Sequence, residues 1–359
     1  MLYHLLVSLH DELSVLNVFR YLTFRSMVAF FVTLMLVLML QPRFIEWVRK
    51  RQFGQPIRDD GPKSHLVKQG TPTMGGLVVV LAIVVSTVLL ADLTSPYIWA
   101  VLSVTLAYGA LGFIDDYRKV TGKTSKGVTA RFKILWQIGV AAFFLLLFMY
   151  LEPSFNTVVH IPLFKNVTID LGWLFIPFAV LVVVGASNAV NLTDGLDGLV
   201  IGPVMTVAFA YGVFAYVAGN KNIAVYLQIP FIPGAGELAI FASAIVAGGL
   251  GFLWFNSFPA SVFMGDVGAL ALGGALGMLA VLTKQELVLV IAGAVFVFEA
   301  LSVIVQVLSF KLTGKRVFKM APLHHHYELK GLQEPKIIVR CWIISIVLAV
   351  VALSTLKLR

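Results

Sequence analysis

Residues 172–190 read GWLFIPFAVLVVVGASNAV and contain no charged side chain. A helix needs about 20 mainly apolar residues to cross a bilayer, because lipid offers no hydrogen-bond partner to an unpaired backbone group. Comparable stretches recur along the chain at about 22–41, 74–92, 97–114, 132–151, 172–190, 199–218, 237–254, 267–283, 286–309 and 337–356. They predict an all-α polytopic membrane protein with about ten transmembrane helices, in which residues 1–359 form a single integral membrane domain.

The composition excludes the soluble classes of protein. Of the 359 residues, 59% are hydrophobic and 13% are charged, whereas an ordinary soluble domain carries about 25% charged residues. So hydrophobic a chain does not stay disordered, and its single cysteine, Cys341, cannot form a disulfide framework. Within the stretch 267–283, Gly273 and Gly277 form a small-xxx-small pair, which is typical of close helix packing in membranes.

The lysine and arginine residues predict the orientation of the chain. Twenty of the 27 fall in the loops that follow the first, third and ninth apolar stretches. Because cytoplasmic loops carry an excess of these residues, the three loops are predicted to be cytoplasmic and both termini periplasmic. Membrane topology then accounts for the net charge of +9, and we expect no nucleic-acid partner.

Five aspartates are candidates for a site on the cytoplasmic face. Asp115 and Asp116 end the third stretch, Asp194 and Asp197 follow the fifth, and Asp266 opens the eighth. The loops after the fifth and seventh stretches contain no Lys or Arg, so a metal ion or a substrate cation is the natural complement of these acids. The alternatives are a solvated helix end for the first pair, an Asn/Asp/Gly-rich turn for the second, and an N-terminal helix cap for Asp266.

Polar and aromatic residues near these acids extend the candidate site. Asn191, Asp194 and Asp197 lie three residues apart and share one face wherever the backbone is helical. Their oxygen ligands suit Mg²⁺ or the polar groups of a ribose and a base. The loop that leads to Asp266 adds Asn256 and Phe263, and an aromatic ring can stack on a base.

Further candidates lie in and after the ninth stretch. His324, His325 and His326 stand in the most basic loop and are predicted to bind phosphate oxygens, with a solvated polar run as the alternative. Glu299 lies inside the stretch, where an ionisable group is costly unless it faces a polar cavity. Gln306 lies two turns further on, on roughly the same face. The alternative for Glu299 is a protonated carboxyl with structural hydrogen bonds.

This set of residues favours one kind of chemistry. Acids, amides, histidines and basic loops at one membrane face are typical of a reaction on a polyanion that comes from the cytosol and meets a partner held in the lipid. Phosphoryl transfer fits, because it needs a divalent metal and positioning groups more than elaborate covalent machinery.

At these residues the sequence resembles the phospho-N-acetylmuramoyl-pentapeptide transferases, a branch of the polyprenyl-phosphate N-acetylhexosamine-1-phosphate transferase superfamily. The resemblance covers nearly the full length. It rests on GTPTMGG at 70–76, DDYRK at 115–119, NAVNLTDGLDG at 188–198, GFLWFN at 251–256, FMGD at 263–266 and APLHHHYELKG at 321–331. The acids are shared across the superfamily, whereas the histidine loop resembles the muramoyl-pentapeptide branch alone.

The resemblance implies that UDP-MurNAc-pentapeptide and undecaprenyl phosphate give lipid I and UMP, with Mg²⁺ as cofactor. It also implies a homodimer in the bacterial inner membrane. Asp266 is implied as the principal Mg²⁺ ligand, and Asp115 as the group that assists attack by the lipid phosphate, with Asp116 beside it. The implied substrate-binding residues are Lys68, Thr73, Asn191, Asp194 and Asn256 on the nucleotide-sugar wall, Lys119, Leu196, Asp197 and Phe263 in a uracil pocket, and Gln306, His324, His325 and His326.

Other functions stay open at this point. A sibling transferase that acts on UDP-GlcNAc shares the acids, and a transporter would use Glu299 and the glycine-rich polar loops for gating or coupling. Direct displacement and a two-step route through a phospho-aspartate are both compatible with the sequence.

Overall fold

The computed structural model describes residues 2–10, 12–51, 70–122, 127–164 and 167–357. Helices α1 to α14 occupy, in chain order, Leu2–Ser8, Leu22–Lys50, Gly76–Leu90, Pro96–Thr121, Ala130–Leu151, Phe175–Thr193, Ile201–Ala218, Lys221–Leu227, Leu238–Asn256, Gly265–Leu282, Val288–Ala292, Ala294–Thr313, Leu323–Glu328 and Glu334–Ser354. A short antiparallel hairpin, β1 (Val158–His160) and β2 (Thr168–Asp170), follows α5 and pairs Val159 with Ile169.

Nine helices in the described part of the chain are long and apolar enough to cross a membrane. They are α2, α4, α5, α6, α7, α9, α10, α12 and α14, with short 3₁₀ turns extending α6 and α9. The tenth predicted stretch is α3, whose 15 residues span about 22 Å. The prediction of an all-α polytopic membrane protein is confirmed, and the periplasmic location of the termini stays a prediction.

The prediction of one continuous helix over 286–309 is wrong. The segment divides into α11 and α12 at Gly293, whose backbone lies outside the helical region at φ −95° and ψ 19°. The N–H of Gly293 donates to the carbonyl of Leu289 at 2.8 Å, and a Cβ at position 293 would lie 2.8 Å from the same oxygen. Glycine therefore allows a tight break that hydropathy alone does not indicate.

Helix α10 forms the centre of the bundle and is buried from Val267 to Leu282. Its glycines let neighbouring backbones approach closely. A Cβ on Gly273 would lie 2.7 Å from the Cα of Ser187, and a Cβ on Gly277 would lie 2.7 Å from the Cα of Val183. The predicted packing role of this glycine pair is confirmed, since both contacts join α10 to α6.

A buried ion pair holds together the end of the bundle opposite the aspartates. Arg25, 3% exposed, donates to both carboxylate oxygens of Glu237 at 2.7 Å and to the carbonyl of Leu90 at 3.2 Å. The N–H of Asp92 donates to Glu237 as well, at 2.8 Å. Four segments, α2, the end of α3, the turn after it and the start of α9, therefore meet at one charged centre.

Candidate active site

The structure brings Asp115, Asp116 and Asp266 together, and we call these three residues the Asp cluster. One carboxylate oxygen from each lies within 4.8 Å of the others. Asp115 is fully buried and Asp116 is 5% exposed, whereas Asp266 is partly exposed. Because like charges this close repel one another, the cluster needs cations to remain ionised.

Two lysines supply positive charge to the Asp cluster. The Lys119 Nζ lies 2.5 Å from Asp115 Oδ2 and 3.2 Å from Asp266 Oδ2. The Lys133 Nζ lies 2.8 Å from Asp115 Oδ2 and 2.7 Å from Asp266 Oδ2. Both ammonium groups thus bridge the carboxylate of Asp115 on α4 and the carboxylate of Asp266 on α10. Sequence reasoning placed Lys119 at the substrate but used Lys133 only as evidence for topology.

Close packing of α4 against α10 builds the cluster. A Cβ on Gly112 would lie 2.5 Å from the Cα of Val267, so only glycine allows the two backbones to approach this closely. The N–H of Val267 donates to Asp116 Oδ2 at 3.1 Å. This amide belongs to the first turn of α10, where N–H groups lack intrahelical partners and favour negative charge. Asp116 therefore caps a neighbouring helix. The alternative reading of Asp266 as an N-terminal cap is wrong, because Met264 occupies the cap position and Asp266 lies inside the first turn of α10.

The segment before α5 closes over Asp115. The N–H of Val128 donates to Asp115 Oδ1 at 2.6 Å, and a Cβ on Gly127 would lie 2.7 Å from the Asp115 Cγ. Both oxygens of Asp115 are therefore engaged, one by a backbone amide and the other by two ammonium groups. The alternative of a solvated helix end is wrong, because α4 continues to Thr121 and both acids are buried.

The second acidic segment, residues 194–200, lies next to the Asp cluster, and we call it the 194–200 loop. Helix α6 ends at Thr193, so Asp194 and Asp197 do not continue the helical face of Asn191, which is partly buried. Loss of hydration, together with the negative charges of Asp266 and Asp197, raises the pKa of Asp194 to about 7. The charge of Asp266 therefore acts on Asp194, which links the loop electrostatically to the Asp cluster.

Asp197 and Leu196 hold the 194–200 loop in place. Asp197 is 4% exposed, and its Oδ2 accepts a hydrogen bond from the N–H of Ala260 at 3.0 Å. Leu196 is buried with Leu199 against the start of α14. Both were expected to line a uracil pocket. In the structure they make structural contacts that fix the loop, and their contact with a base stays a prediction.

The loop after α9 pairs with the segment before α3. The N–H of Phe263 donates to the carbonyl of Pro72 at 2.8 Å, and its carbonyl accepts from Gly75 at 2.9 Å. Thr73, 4% exposed, lies between these bonds. The Asn256 Nδ2 donates to the carbonyl of Val262 at 2.8 Å. Backbone hydrogen bonds therefore join the two distant stretches that carry Thr73 and Phe263. Lys68 lies outside the described residues.

The three histidines stand on α13 and have three different environments. His324 is 1% exposed, its Nδ1 lies 3.2 Å from Glu299 Oε2, and a Cβ on Gly195 would lie 2.8 Å from its Cε1. His325 Nδ1 lies 2.7 Å from Glu328 Oε2. His326 Nδ1 accepts from the N–H of Lys319 at 3.0 Å. The first histidine therefore touches the 194–200 loop, and the other two bond within their own segment.

Gln306 holds the chain that leads to α13. Its Oε1 accepts from the N–H groups of Val317 at 3.0 Å and Phe318 at 2.9 Å, and its Nε2 donates to the carbonyl of Phe318 at 3.0 Å. Its amide is thus satisfied by backbone groups. Glu299 is 4% exposed and its partner is His324, so the structure gives this intramembrane carboxyl a polar neighbour on the same side as the candidate site.

Comparison with known proteins identifies the family. The model of glycosyl transferase family 4 matches residues 98–284, a range that contains the entire Asp cluster and the 194–200 loop. The first signature of phospho-N-acetylmuramoyl-pentapeptide-transferase matches residues 68–80. A protein of that name from Geobacter sp. (strain M21) is 59% identical over 359 residues, covering 100% of both chains. The chain belongs to the phospho-N-acetylmuramoyl-pentapeptide-transferase family.

Other relatives agree over the full length. The phospho-N-acetylmuramoyl-pentapeptide-transferases of Citrifermentans bemidjiense and Pelobacter propionicus are 58% and 56% identical to this chain, again with 100% of both chains covered. As a family member the chain is a multi-pass membrane transferase. The family signature at 68–80 includes Pro72 and Gly75, both of which form backbone hydrogen bonds with Phe263 in the loop that leads to Asp266.

Proposed function

We propose that this protein transfers phospho-MurNAc-pentapeptide from UDP-MurNAc-pentapeptide to undecaprenyl phosphate, giving lipid I and UMP. An oxygen of the lipid phosphate forms a new bond to the phosphorus that carries the sugar. The bond from this phosphorus to the bridging oxygen breaks, and UMP leaves with the electron pair. The observation that carries the proposal is the Asp cluster with its two lysines, in a chain 59% identical to a transferase of this name.

We propose Mg²⁺ as the cofactor, because the geometry of the Asp cluster fits this ion. This ion binds oxygen at about 2.0–2.1 Å, so two of its ligands lie at most about 4.2 Å apart, and it usually keeps waters and substrate phosphates beside one or two carboxylates. Oxygens of Asp115, Asp116 and Asp266 within 4.8 Å need only small side-chain rotations to meet this requirement. Asp266 is the proposed ligand because it is the most exposed of the three. When bound, the ion would neutralise charge that develops on the diphosphate.

The lysines are suited to hold the transferred phosphoryl group. Lys119 and Lys133 each lie within 3.2 Å of Asp266 Oδ2, in a partly buried site where charge interactions are stronger than in water. Positioned ammonium groups stabilise the charge of a phosphoryl transfer without any covalent step. Asp115 is buried, and its two oxygens are held by a backbone amide and by the two lysines. A carboxylate held in this way is a poor nucleophile, which favours direct displacement over a phospho-aspartate.

The remaining predicted residues are assigned to the nucleotide sugar. Asn191 and Asn256 lie in the last turns of α6 and α9, and Asp194 and Phe263 lie in the loops that follow these helices. His324 on α13 contacts the 194–200 loop at Gly195. We further propose that the protein acts as a homodimer in the bacterial inner membrane, as one membrane domain with this site on the cytoplasmic face.

The test is UMP release by the purified, detergent-solubilised protein with undecaprenyl phosphate. UDP-MurNAc-pentapeptide and UDP-GlcNAc are offered separately, each with Mg²⁺ and with chelator. We expect UMP from the pentapeptide substrate alone, and none with chelator. Release from UDP-GlcNAc alone would assign the chain to a sibling activity. Release from neither, with flux of substrate into proteoliposomes, would support a transporter.

A further inference from the structure

The 194–200 loop is held from outside the site by one face of α14. Asp197 donates its backbone N–H to Glu334 Oε1 at 3.0 Å. The Trp342 Nε1 donates to the carbonyl of Gly198 at 3.1 Å. Glu334 and Trp342 lie eight residues apart, slightly more than two turns, so both point to the same side of the helix.

Apolar packing fills the space between these two hydrogen bonds. Ile337 and Ile338, each 4% exposed, pack against Leu196 and Leu199 in a small hydrophobic cluster separate from the main core. A Cβ on Gly202 would lie 2.8 Å from the Trp342 Cε2, so the indole also lies directly on the start of α7. Two polar contacts and one apolar cluster therefore fix the whole loop to α14.

The 194–200 loop connects α14 to the loop that leads to Asp266. Asp197 is bound on both sides, since its N–H is held by Glu334 and its Oδ2 accepts from Ala260 in the loop before Asp266. On the opposite side, Gly195 lies against His324. Asp194 precedes Gly195 in this loop and interacts electrostatically with Asp266 and Asp197. The contacts of the loop with α14 therefore bear on the position of Asp194 beside the Asp cluster.

We propose that Glu334 is a positioning residue for the nucleotide sugar, which acts through the backbone of Asp197, with Trp342 as its second anchor. The inference rests on the proposed function and deepens it. It assigns to the start of α14 the role of fixing the loop that recognises the nucleotide end of the donor. The acceptor lipid phosphate has no assigned contact with the 194–200 loop, so we expect its binding not to depend on this anchor.

The experiment uses Glu334→Ala and Glu334→Gln in the full-length protein. Alanine removes the acceptor oxygen, whereas glutamine retains an oxygen at the same place. We expect the KM for UDP-MurNAc-pentapeptide to rise about tenfold in Glu334→Ala, the size of effect expected for one charge-assisted hydrogen bond. The KM for undecaprenyl phosphate and kcat should stay within about threefold, and Glu334→Gln should restore most of the loss. Trp342→Phe should raise the same KM by a smaller factor.

Lys336→Ala is the matched control, because Lys336 is exposed in the same first turn of α14. A merely structural role for Glu334 would lower kcat and affect both KM values together, or would leave glutamine as impaired as alanine. Either result, or an unchanged KM in Glu334→Ala, would overturn the proposal.

Hydrogen exchange of the Asp197 amide separates this proposal from the proposed function. We expect the amide to exchange at least about tenfold faster in Glu334→Ala than in the unmodified protein, with Glu334→Gln and Lys336→Ala unchanged. Unchanged exchange in Glu334→Ala refutes the anchor whatever the activity. If the unmodified protein releases no UMP from either sugar, the proposed function fails, and the exchange rates still decide whether Glu334 holds the loop.

Discussion

Substitution of Gly112 by alanine should separate the two halves of the Asp cluster. Asp115 and Asp116 lie on α4 and Asp266 lies on α10, and the helices touch at Gly112. An added Cβ would lie 2.5 Å from the Cα of Val267, whereas two carbon atoms pack at about 3.5 Å or more. Either helix must therefore move by about 1 Å.

A displacement of this size is enough to reduce catalysis strongly. A misplacement of about 1 Å at reacting groups costs on the order of 10²-fold in rate, and overpacking typically destabilises a protein by about 1–3 kcal/mol. We expect Gly112→Ala to lower kcat/KM for UMP release about 100-fold and to lower the thermal midpoint in detergent. The Mg²⁺ concentration for half-maximal activity should rise, because Asp266 moves relative to Asp115.

Gly109→Ala is the matched control on the same helix face. A Cβ at position 109 would lie 3.5 Å from the Cβ of Ala271, which is ordinary van der Waals contact. We expect this variant to keep kcat/KM within about threefold of the unmodified protein. Normal activity in Gly112→Ala, or equal losses in both variants, would refute the argument that the α4 and α10 separation sets the geometry of the site.

Three further predictions follow from single contacts. Lys133→Met removes the ammonium that bridges Asp115 and Asp266 and should lower UMP release at least about 100-fold. Arg131→Met, at an exposed position, should leave UMP release unchanged. Equal rates in the two variants would exclude Lys133 from the site. The raised pKa of Asp194, about 7, means that the folded protein favours the protonated carboxyl, so the contribution of this group to stability is full below about pH 4 and is lost as the pH rises through about 7. Thermal melts in chelator should show a smaller fall over this range for Asp194→Asn than for the unmodified protein, and parallel curves would contradict this origin. Gln306→Ala should speed tryptic cleavage at Lys315 and Arg316, because it frees the amides of Val317 and Phe318; unchanged cleavage would show that other contacts hold the segment.

Hydropathy predicted the membrane helices because the bilayer imposes a length and a polarity on each of them. It did not indicate the break at Gly293, since the residues on both sides are apolar and a glycine is tolerated in membrane helices. The end of α6 at Thr193 lies within three residues of the predicted end at about 190, but the spacing of Asn191, Asp194 and Asp197 did not show that the two acids leave the helical face. Such local geometry depends on tertiary contacts, here with α13 and α14.

The aspartates were identified because they cluster on the predicted cytoplasmic face, and because the loops that carry Asp194, Asp197 and Asp266 contain no Lys or Arg. Their proximity could be expected from topology, but the role of Lys133 could not. Lys133 lies 18 residues after Asp115 and 133 before Asp266, and no spacing rule links them. The same is true of Glu334, which meets Asp197 across 137 residues. Contacts of this range follow from helix packing and leave no local pattern in the sequence.

The most direct test of the central claim, that the Asp cluster is the site of phosphoryl transfer, is UMP release by Asp266→Asn. Asparagine keeps the size of the side chain and removes its charge, so the variant should elute from size exclusion in detergent like the unmodified protein. With UDP-MurNAc-pentapeptide, undecaprenyl phosphate and Mg²⁺, the account predicts that UMP release is abolished. Turnover close to that of the unmodified protein would contradict the account and remove Asp266 from the reaction.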